Sequence, residues 1–247
     1  MLSLQGVRLP VPDPVVLANG NAVTPRNARD WQALERSRPY EGDPVVAAVG
    51  DSGAGTARTD AVAAAVGASN ASLLLYLGDL YEDGTPPELR DNFGRSAFDE
   101  PGSADAWGRL MPWTRPTTGN HEAHRPEDFR SWWHGRPDRY TFVHGGVRFI
   151  VLHSECNLIG GGGCGPGSVQ YQFVQQTLAD NDYACVVGIW HRPVLSAVED
   201  NTTMRPIWKL LADGGGDVVL AVVRHAVLVD DAKGEQLQQF AREVLVG

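Results

Sequence analysis

Short runs of almost unbroken apolar residues constrain this chain most. "PVVAAVG" (44–50), "SLLLYLGDL" (72–80), "ACVVGIWH" (184–191) and "DVVLAVV" (217–223) do not alternate with polar residues. A strand of that kind is buried on both faces, as parallel strands covered by helices are. Helical patterns lie between these runs. "RTDAVAAAVGAS" (58–69) places Thr59 or Asp60 near its cap, "SVQYQFVQQTLAD" (168–180) starts on a serine cap, and "RPIWKLLADGG" (205–215) is closed by glycine. "RYTFVHGGVRFIVLHSE" (139–155) reads as a hairpin turning at Gly145-Gly146. The closing "KGEQLQQFAREVLVG" is ambiguous between helix and strand, with Glu, Gln and Leu favouring helix at its start. Strands alternating with helices define an α/β protein with mixed sheets and helices outside.

Residues 1–44 differ from the rest. They are rich in Pro, Asn and Arg and show little periodicity. We read them as an extended, loosely packed leader, with room for a short helix near "ARDWQALERS" (28–37), and 45–247 as the globular unit. The 247 residues suit one large α/β domain, and a hydrophobic content of 43% supplies a core. A net charge of −9 repels nucleic acid and anionic membranes. No apolar run reaches the roughly 20 residues that span a bilayer, and the N-terminus carries no signal-peptide pattern.

Cys156 and Cys164 flank the loop "CNLIGGGGC", and Cys185 sits in an apolar run. Glycines let a chain double back, so the first two can bridge, or both can remain free thiols. A bridge would imply an oxidising compartment. No cysteine pair has CxxC spacing, which argues against a thiolate zinc site.

In α/β sheets ligands sit beyond the carboxyl ends of strands. There stand Asp51 in "GDSG", Asp79 in "GDLYEDG", Asn120, His121, Glu122 and His124 in the loop "TTGNHEAHR", His191 in "WHRP" and His225 in "VVRH". Singly, each has an ordinary explanation as a turn former, a cap or a hydrogen-bonded structural histidine. As a set they gather carboxylates, an amide and imidazoles at one sheet edge. That donor mixture suits Zn, Mn or Fe better than Ca.

The same residues, in this order, resemble the motifs of calcineurin-like metallophosphoesterases. "GDSG" looks most like the purple acid phosphatase-like branch. The resemblance implies a sandwich of two mixed β-sheets flanked by helices, and hydrolysis of phosphate esters at a dinuclear centre of Fe, Zn or Mn. A metal-bound hydroxide would be the nucleophile. Asp79 would bridge the metals, Asp51 and His225 would serve the first, and Asn120 and His191 the second. His121 would bind the phosphoryl group or protonate the leaving oxygen, and Glu122 would hold His121. The implied partner is a phosphorylated small molecule or other phosphoester, with no nucleic acid. The resemblance also favours a secreted or extracytoplasmic protein with a Cys156–Cys164 bridge; the missing signal peptide favours the cytoplasm instead. Arg192 reads as a solvent-facing loop residue, with phosphate contact as its alternative, and the same pair of readings applies to His124.

Two departures stand out. The branch ligates its first metal with a tyrosine three residues after the bridging aspartate, whereas Tyr81 stands two after Asp79 and Glu82 holds the third place. The branch ends its set with Gly-His-x-His, whereas this chain has Val222-Val223-Arg224-His225. Valine cannot ligate, so the second metal site is expected to be weak. With the chain ending soon after, a catalytically impaired or truncated member that binds one metal or a phosphorylated ligand is the alternative. A serine hydrolase is disfavoured because no GxSxG elbow occurs.

Overall fold

The computed structural model describes residues 36–52, 55–80, 83–94, 107–196, 201–223, 226–231 and 236–240, with no side-chain detail from residue 223 onward. Strand β1 (Val46–Val49) leads to helix α1 (Ala57–Ala68) and strand β2 (Leu73–Tyr76). Strand β3 (Thr114–Pro116) and helix α2 (Pro126–Trp132) follow. Strands β4 (Tyr140–His144) and β5 (Val147–Val151) form the expected hairpin. Then come α3 (Val169–Ala179), β6 (Cys185–Ile189), α4 (Arg205–Asp213), β7 (Val218–Val223), β8 (Ala226–Asp231) and β9 (Gln236–Phe240). One sheet has the order β1-β2-β3, the other β4-β5-β6-β7-β8-β9. The protein is α/β, with two sheets flanked by helices. The smaller sheet is wholly parallel rather than mixed, while the larger one is mixed.

The alternation of side chains along each strand builds three cores. Leu73, Leu75 and Leu77 point from the small sheet into a layer shared with Phe149, Val151, Val187, Ile189 and Val222 of the large one. Leu74 and Tyr76 point the opposite way, onto Ala63 of α1 and the aromatic cluster of Phe93, Trp107, Phe129 and Trp133. Ile150, Val186 and Val219 face outward against Phe173 and Val174 of α3 and Ile207 and Leu211 of α4. Both faces of β2 are therefore covered, which is why its sequence is all apolar. β1 is only half-buried along its length, against the expectation of full burial, because among the described residues it pairs with β2 alone.

Other elements also depart from the sequence reading. The cap of α1 is Thr56, three residues before Thr59. The Thr59 amide donates to Thr56 Oγ1 (3.3 Å) and the Thr56 amide to Thr59 Oγ1 (3.0 Å), a reciprocal capping box. β3 was hidden by its brevity and by its Arg and Pro. The strand expected at 217–223 is β7, and it pairs with an antiparallel β8 that the sequence reading did not include, Val223 opposite Ala226. The segment expected to begin as helix contains β9, which pairs with β8. Its helix preference, a few tenths of a kcal/mol per residue, loses to a ladder offered by a neighbouring strand.

Residues 36 and 38 are tied to the rest of the described chain. The Arg36 amide donates to Pro112 O (2.7 Å) and the Arg38 amide to Ser72 O (2.9 Å). The Arg38 guanidinium donates to Ser69 O (2.9 Å) and Gly67 O (2.7 Å) at the end of α1, and lies 3.5 Å from the Trp113 ring centre. A cation there also complements the negative end of the helix. The short helix expected near "ARDWQALERS" lies almost wholly outside the described residues.

The β4–β5 turn follows its sequence closely. Gly145 (φ 59°) and Gly146 (φ 80°) both take positive φ, the backbone that a tight two-residue hairpin loop requires. Cys156 and Cys164 form a disulfide (Cα–Cα 5.3 Å) across the glycine loop, and no described helix is long and apolar enough to cross a membrane.

Truncating Leu75→Ala in the layer between the sheets is expected to cost about 2–5 kcal/mol, and Arg38→Ala about 1–2 kcal/mol. Urea unfolding of the two variants checks both. An Arg38→Ala protein as stable as wild type would show that this side chain contributes nothing to stability.

Candidate metal centre

The parallel strands of both sheets deliver polar residues to one edge. Asp51 follows β1, Asp79 follows β2, Asn120 follows β3 and His191 follows β6. Asp51, Asp79 and His191 each offer a ligand atom, and those atoms lie within 4.8 Å of one another. Asn120 and His121 join them through direct contacts. Tyr81, Glu82 and His225 lie outside the described residues.

Two aspartates after two strands adopt the same uncommon backbone. Asp51 has φ 53° and Asp79 φ 54°, both left-handed. Aspartate tolerates that region better than most residues, and here it turns each carboxylate back over its strand end. The glycines beside them exist for contact. A side chain at Gly119 would run into the Asp79 carboxylate and amide. One at Gly78 would stand 2.6 Å from Gly119 N and 2.9 Å from His191 Nδ1. At Gly50 it would meet Val222, whose side chain belongs to the layer between the sheets. Val222 is thus accommodated by a glycine opposite.

His191 is almost completely buried, and its two nitrogens have different tasks. Nδ1 lies 2.8 Å from Leu77 O. A carbonyl only accepts, so Nδ1 carries hydrogen and donates. Nε2 then faces Asn120 Oδ1 at 3.1 Å and Asp79 Oδ2 at 3.2 Å. The Asn120 atom is oxygen, because Arg192 Nε, which can only donate, also meets it at 3.3 Å. An imidazole nitrogen between two oxygens demands a positive centre there, either a proton or a metal ion. Without metal it is a proton. Burial works against the charge, but the hydrogen bond and charge of Asp79, the charge of Asp51 and the Leu77 carbonyl outweigh it and raise the pKa to about 9. Burial likewise pushes Asp79 upward, yet the hydrogen bond and charge of His191, with the His121 amide and ring, bring it below the ordinary carboxylate value. The donor set therefore fits a metal ion: two carboxylates, an amide oxygen and an imidazole whose far nitrogen is already oriented by a carbonyl.

Glu122 Oε2 accepts the amides of Asp79 (3.1 Å) and Gly119 (2.8 Å), and its Oε1 accepts the Leu80 amide. Glu122 thus clasps the main chain that carries Asp79. It is buried, and burial together with the Asp79 charge pushes its pKa to about 7 against the pull of those amides. His121 is held by Asp79. Its amide donates to Asp79 Oδ1 (3.1 Å), and its Nε2 lies 3.7 Å from Asp79 Oδ2 with the side chain 35% exposed. His121 is the site's imidazole that faces solvent.

Other contributors gave little sequence signal. Ser52 Oγ and Tyr76 Oη pair at 2.8 Å, a buried bond behind Asp51. A tyrosine set among leucines was the only hint, since a buried hydroxyl needs a partner. The Leu77 carbonyl had none. Arg192, its side chain 35% exposed, donates from Nε to Asn120 Oδ1 (3.3 Å) and forms an ion pair with Glu155 Oε1 (3.2 Å). His124 is exposed.

No protein-family model and no curated protein matches the chain. Among solved structures, a conserved uncharacterized protein of Streptococcus pneumoniae TIGR4, described as a predicted phosphoesterase, is similar at 14% identity with a TM-score of 0.35. The match covers 82% of this chain and 100% of that one. It assigns no residue a role.

The His191 pairing has a pH signature. Its pKa rises on folding from 6.5 to about 9, so the stability it contributes is complete below pH 6.5 and lost as pH climbs through 9. Chelator-treated protein is expected to lose up to about 3 kcal/mol across that window. Unfolding titrations at several pH values check this. Saturating Zn or Mn should flatten the slope, because the ion replaces the proton. A metal-free protein whose stability does not change over that range contradicts the pairing.

Proposed function

We propose that this protein is a metal-dependent phosphoesterase of the calcineurin-like type. The observation that carries the reading is the convergence of Asp51, Asp79, Asn120 and His191 on one point, with His191 Nε2 turned toward two oxygens. Bound there, an Fe, Zn or Mn ion would activate water and neutralise charge on a phosphoryl oxygen. Asp79 and Asp51 would hold it by carboxylate oxygens, and His191 by the nitrogen that the Leu77 carbonyl leaves for it.

The protein's own residues supply the remaining steps. His121 stands beside Asp79 and is open to solvent, so its ring can meet a substrate and give a proton to the leaving oxygen. Asp79 opposite stabilises the ring's protonated form. Glu122 keeps the Asp79 loop in place through three main-chain amides, so its effect is on positioning. The substrate class is a phosphorylated small molecule or other phosphoester.

Finer assignments belong to the same proposal. The purple acid phosphatase-like branch rests on the motif order alone. In the two-ion version that the resemblance implies, Asp79 would serve both ions, Asp51 with His225 and Tyr81 the first, and Asn120 with His191 the second alone. The catalytic unit is 45–247 with 1–44 as leader. The Cys156–Cys164 disulfide supports an extracytoplasmic setting.

Release of phosphate from p-nitrophenyl phosphate, with added Mn, Zn or Fe, tests the reading. Asp79→Asn is expected to lower kcat by about a hundredfold or more, and His121→Ala by about a hundredfold. Full activity in excess chelator, or an Asp79→Asn protein as active as wild type, rules the reading out.

A further inference from the structure

We propose that Arg192 is a positioning residue of the metal site, its guanidinium fixing which end of the Asn120 amide faces the ion. The inference rests on the phosphoesterase reading and adds to it what sets the direction of one ligand. An asparagine ligates through its oxygen, yet its planar amide carries an NH2 of nearly the same size at the other end. A half-turn of the amide exchanges the two with almost no change of shape. A carboxylate in the same place has no wrong end. The site therefore needs a group that tells the two ends of Asn120 apart.

His191 does so only while its Nε2 carries a proton. That nitrogen stands 3.1 Å from Asn120 Oδ1. A bound ion would take its lone pair, and it would then donate nothing to Asn120. Arg192 Nε lies 3.3 Å from the same oxygen. A guanidinium keeps its hydrogens throughout the ordinary pH range and has no lone pair to offer. A flipped amide would set its NH2 against that N–H. Two donors would then face each other, and a charge-assisted hydrogen bond would be lost. Arg192 thus keeps Oδ1 beside His191 Nε2 with or without an ion.

The mounting of Arg192 suits this task. It follows His191 directly in the chain, and its amide donates to Ser154 Oγ at 3.1 Å. Ser154 is buried, and its carbonyl accepts from Asn201 Nδ2 at 2.9 Å. One residue earlier, His153 is gripped from both sides by the buried Gln170. Its amide donates to Gln170 Oε1 (2.9 Å), and its carbonyl accepts from Gln170 Nε2 (2.9 Å). The segment that receives Arg192 is therefore pinned. Glu155 Oε1, 3.2 Å from Arg192 Nε, offsets the guanidinium charge beside a site made for a cation. The donor is kept while much of its repulsion toward an ion is removed.

The test measures Mn and Zn affinity by calorimetry on chelator-treated, full-length protein. Four proteins form a double-mutant cycle: wild type, Arg192→Met, Asn120→Asp and the double variant. Arg192→Met is expected to weaken metal binding about tenfold in the wild-type background. In the Asn120→Asp background, where either oxygen can ligate, it is expected to cause no weakening. Arg192→Lys keeps the charge but has no N–H at the Nε position, and it replaces the methionine variant in the cycle if that one does not fold. The same loss in both backgrounds, or unchanged affinity in the wild-type background, overturns the inference. A wild-type chain that binds neither ion instead overturns the phosphoesterase reading.

Discussion

The imidazole of His191 is the contact on which the site depends. It leaves the end of a strand in the large sheet and donates to a carbonyl at the end of a strand in the small one. Its own carbonyl accepts the amide of Val222 (2.8 Å), which ties the neighbouring strand to the same point. One buried side chain thus links both sheets and sets the direction of Nε2. Tyr140 Oη donating to Pro116 O (2.7 Å) and Thr117 Oγ1 donating to Leu152 O (2.7 Å) stitch the same edge. The greasy layer between the sheets gives the sandwich its stability, but it is nondirectional. These polar links fix how the strand ends face one another, and so where four donors meet.

Around that anchor the backbone is arranged to carry charge. Two aspartates in left-handed conformation would be costly in isolation, by about 1 kcal/mol or more each. Asp79 is compensated by Glu122, which gathers three amides from the two loops nearest it. The left-handed turns need glycine neighbours, since a single Cβ at position 78 or 119 would collide with the other loop or with the ligands. Gly-Asp and Gly-Asn are therefore parts of one packing solution, in which close approach of loops brings the carboxylates together. Electrostatics completes it: Asp79 and His191 stabilise each other's charges, and Arg192 with Glu155 extends the charge pattern to the rim.

Much of this was legible as chemistry on strand ends. The apolar runs announced β2, β6 and β7, and Gly145-Gly146 announced the hairpin. Asp51, Asp79, Asn120 and His191 were picked out because polar residues following buried strands gather on one edge. What escaped was decided by neighbours. β9 is a strand because β8 offers it a ladder. Glu122 holds a loop because the amides of Asp79 and Leu80, distant in the chain, point at it. Arg192 lies beside the strand ends because Asn120 and Glu155 offer oxygens to its guanidinium.

The sequence by itself determined the alternation of strand and helix, the two-faced burial of the central strands and the order of polar residue types at the strand ends. These follow from local periodicity, from turn chemistry and from the fixed donor atoms of each side chain. Only the tertiary structure decided which oxygens face His191 Nε2, which nitrogen is taken by Leu77 and what Glu122 holds. Those outcomes depend on main-chain carbonyls and amides, which every residue carries alike. Their direction is set only when the two sheets pack.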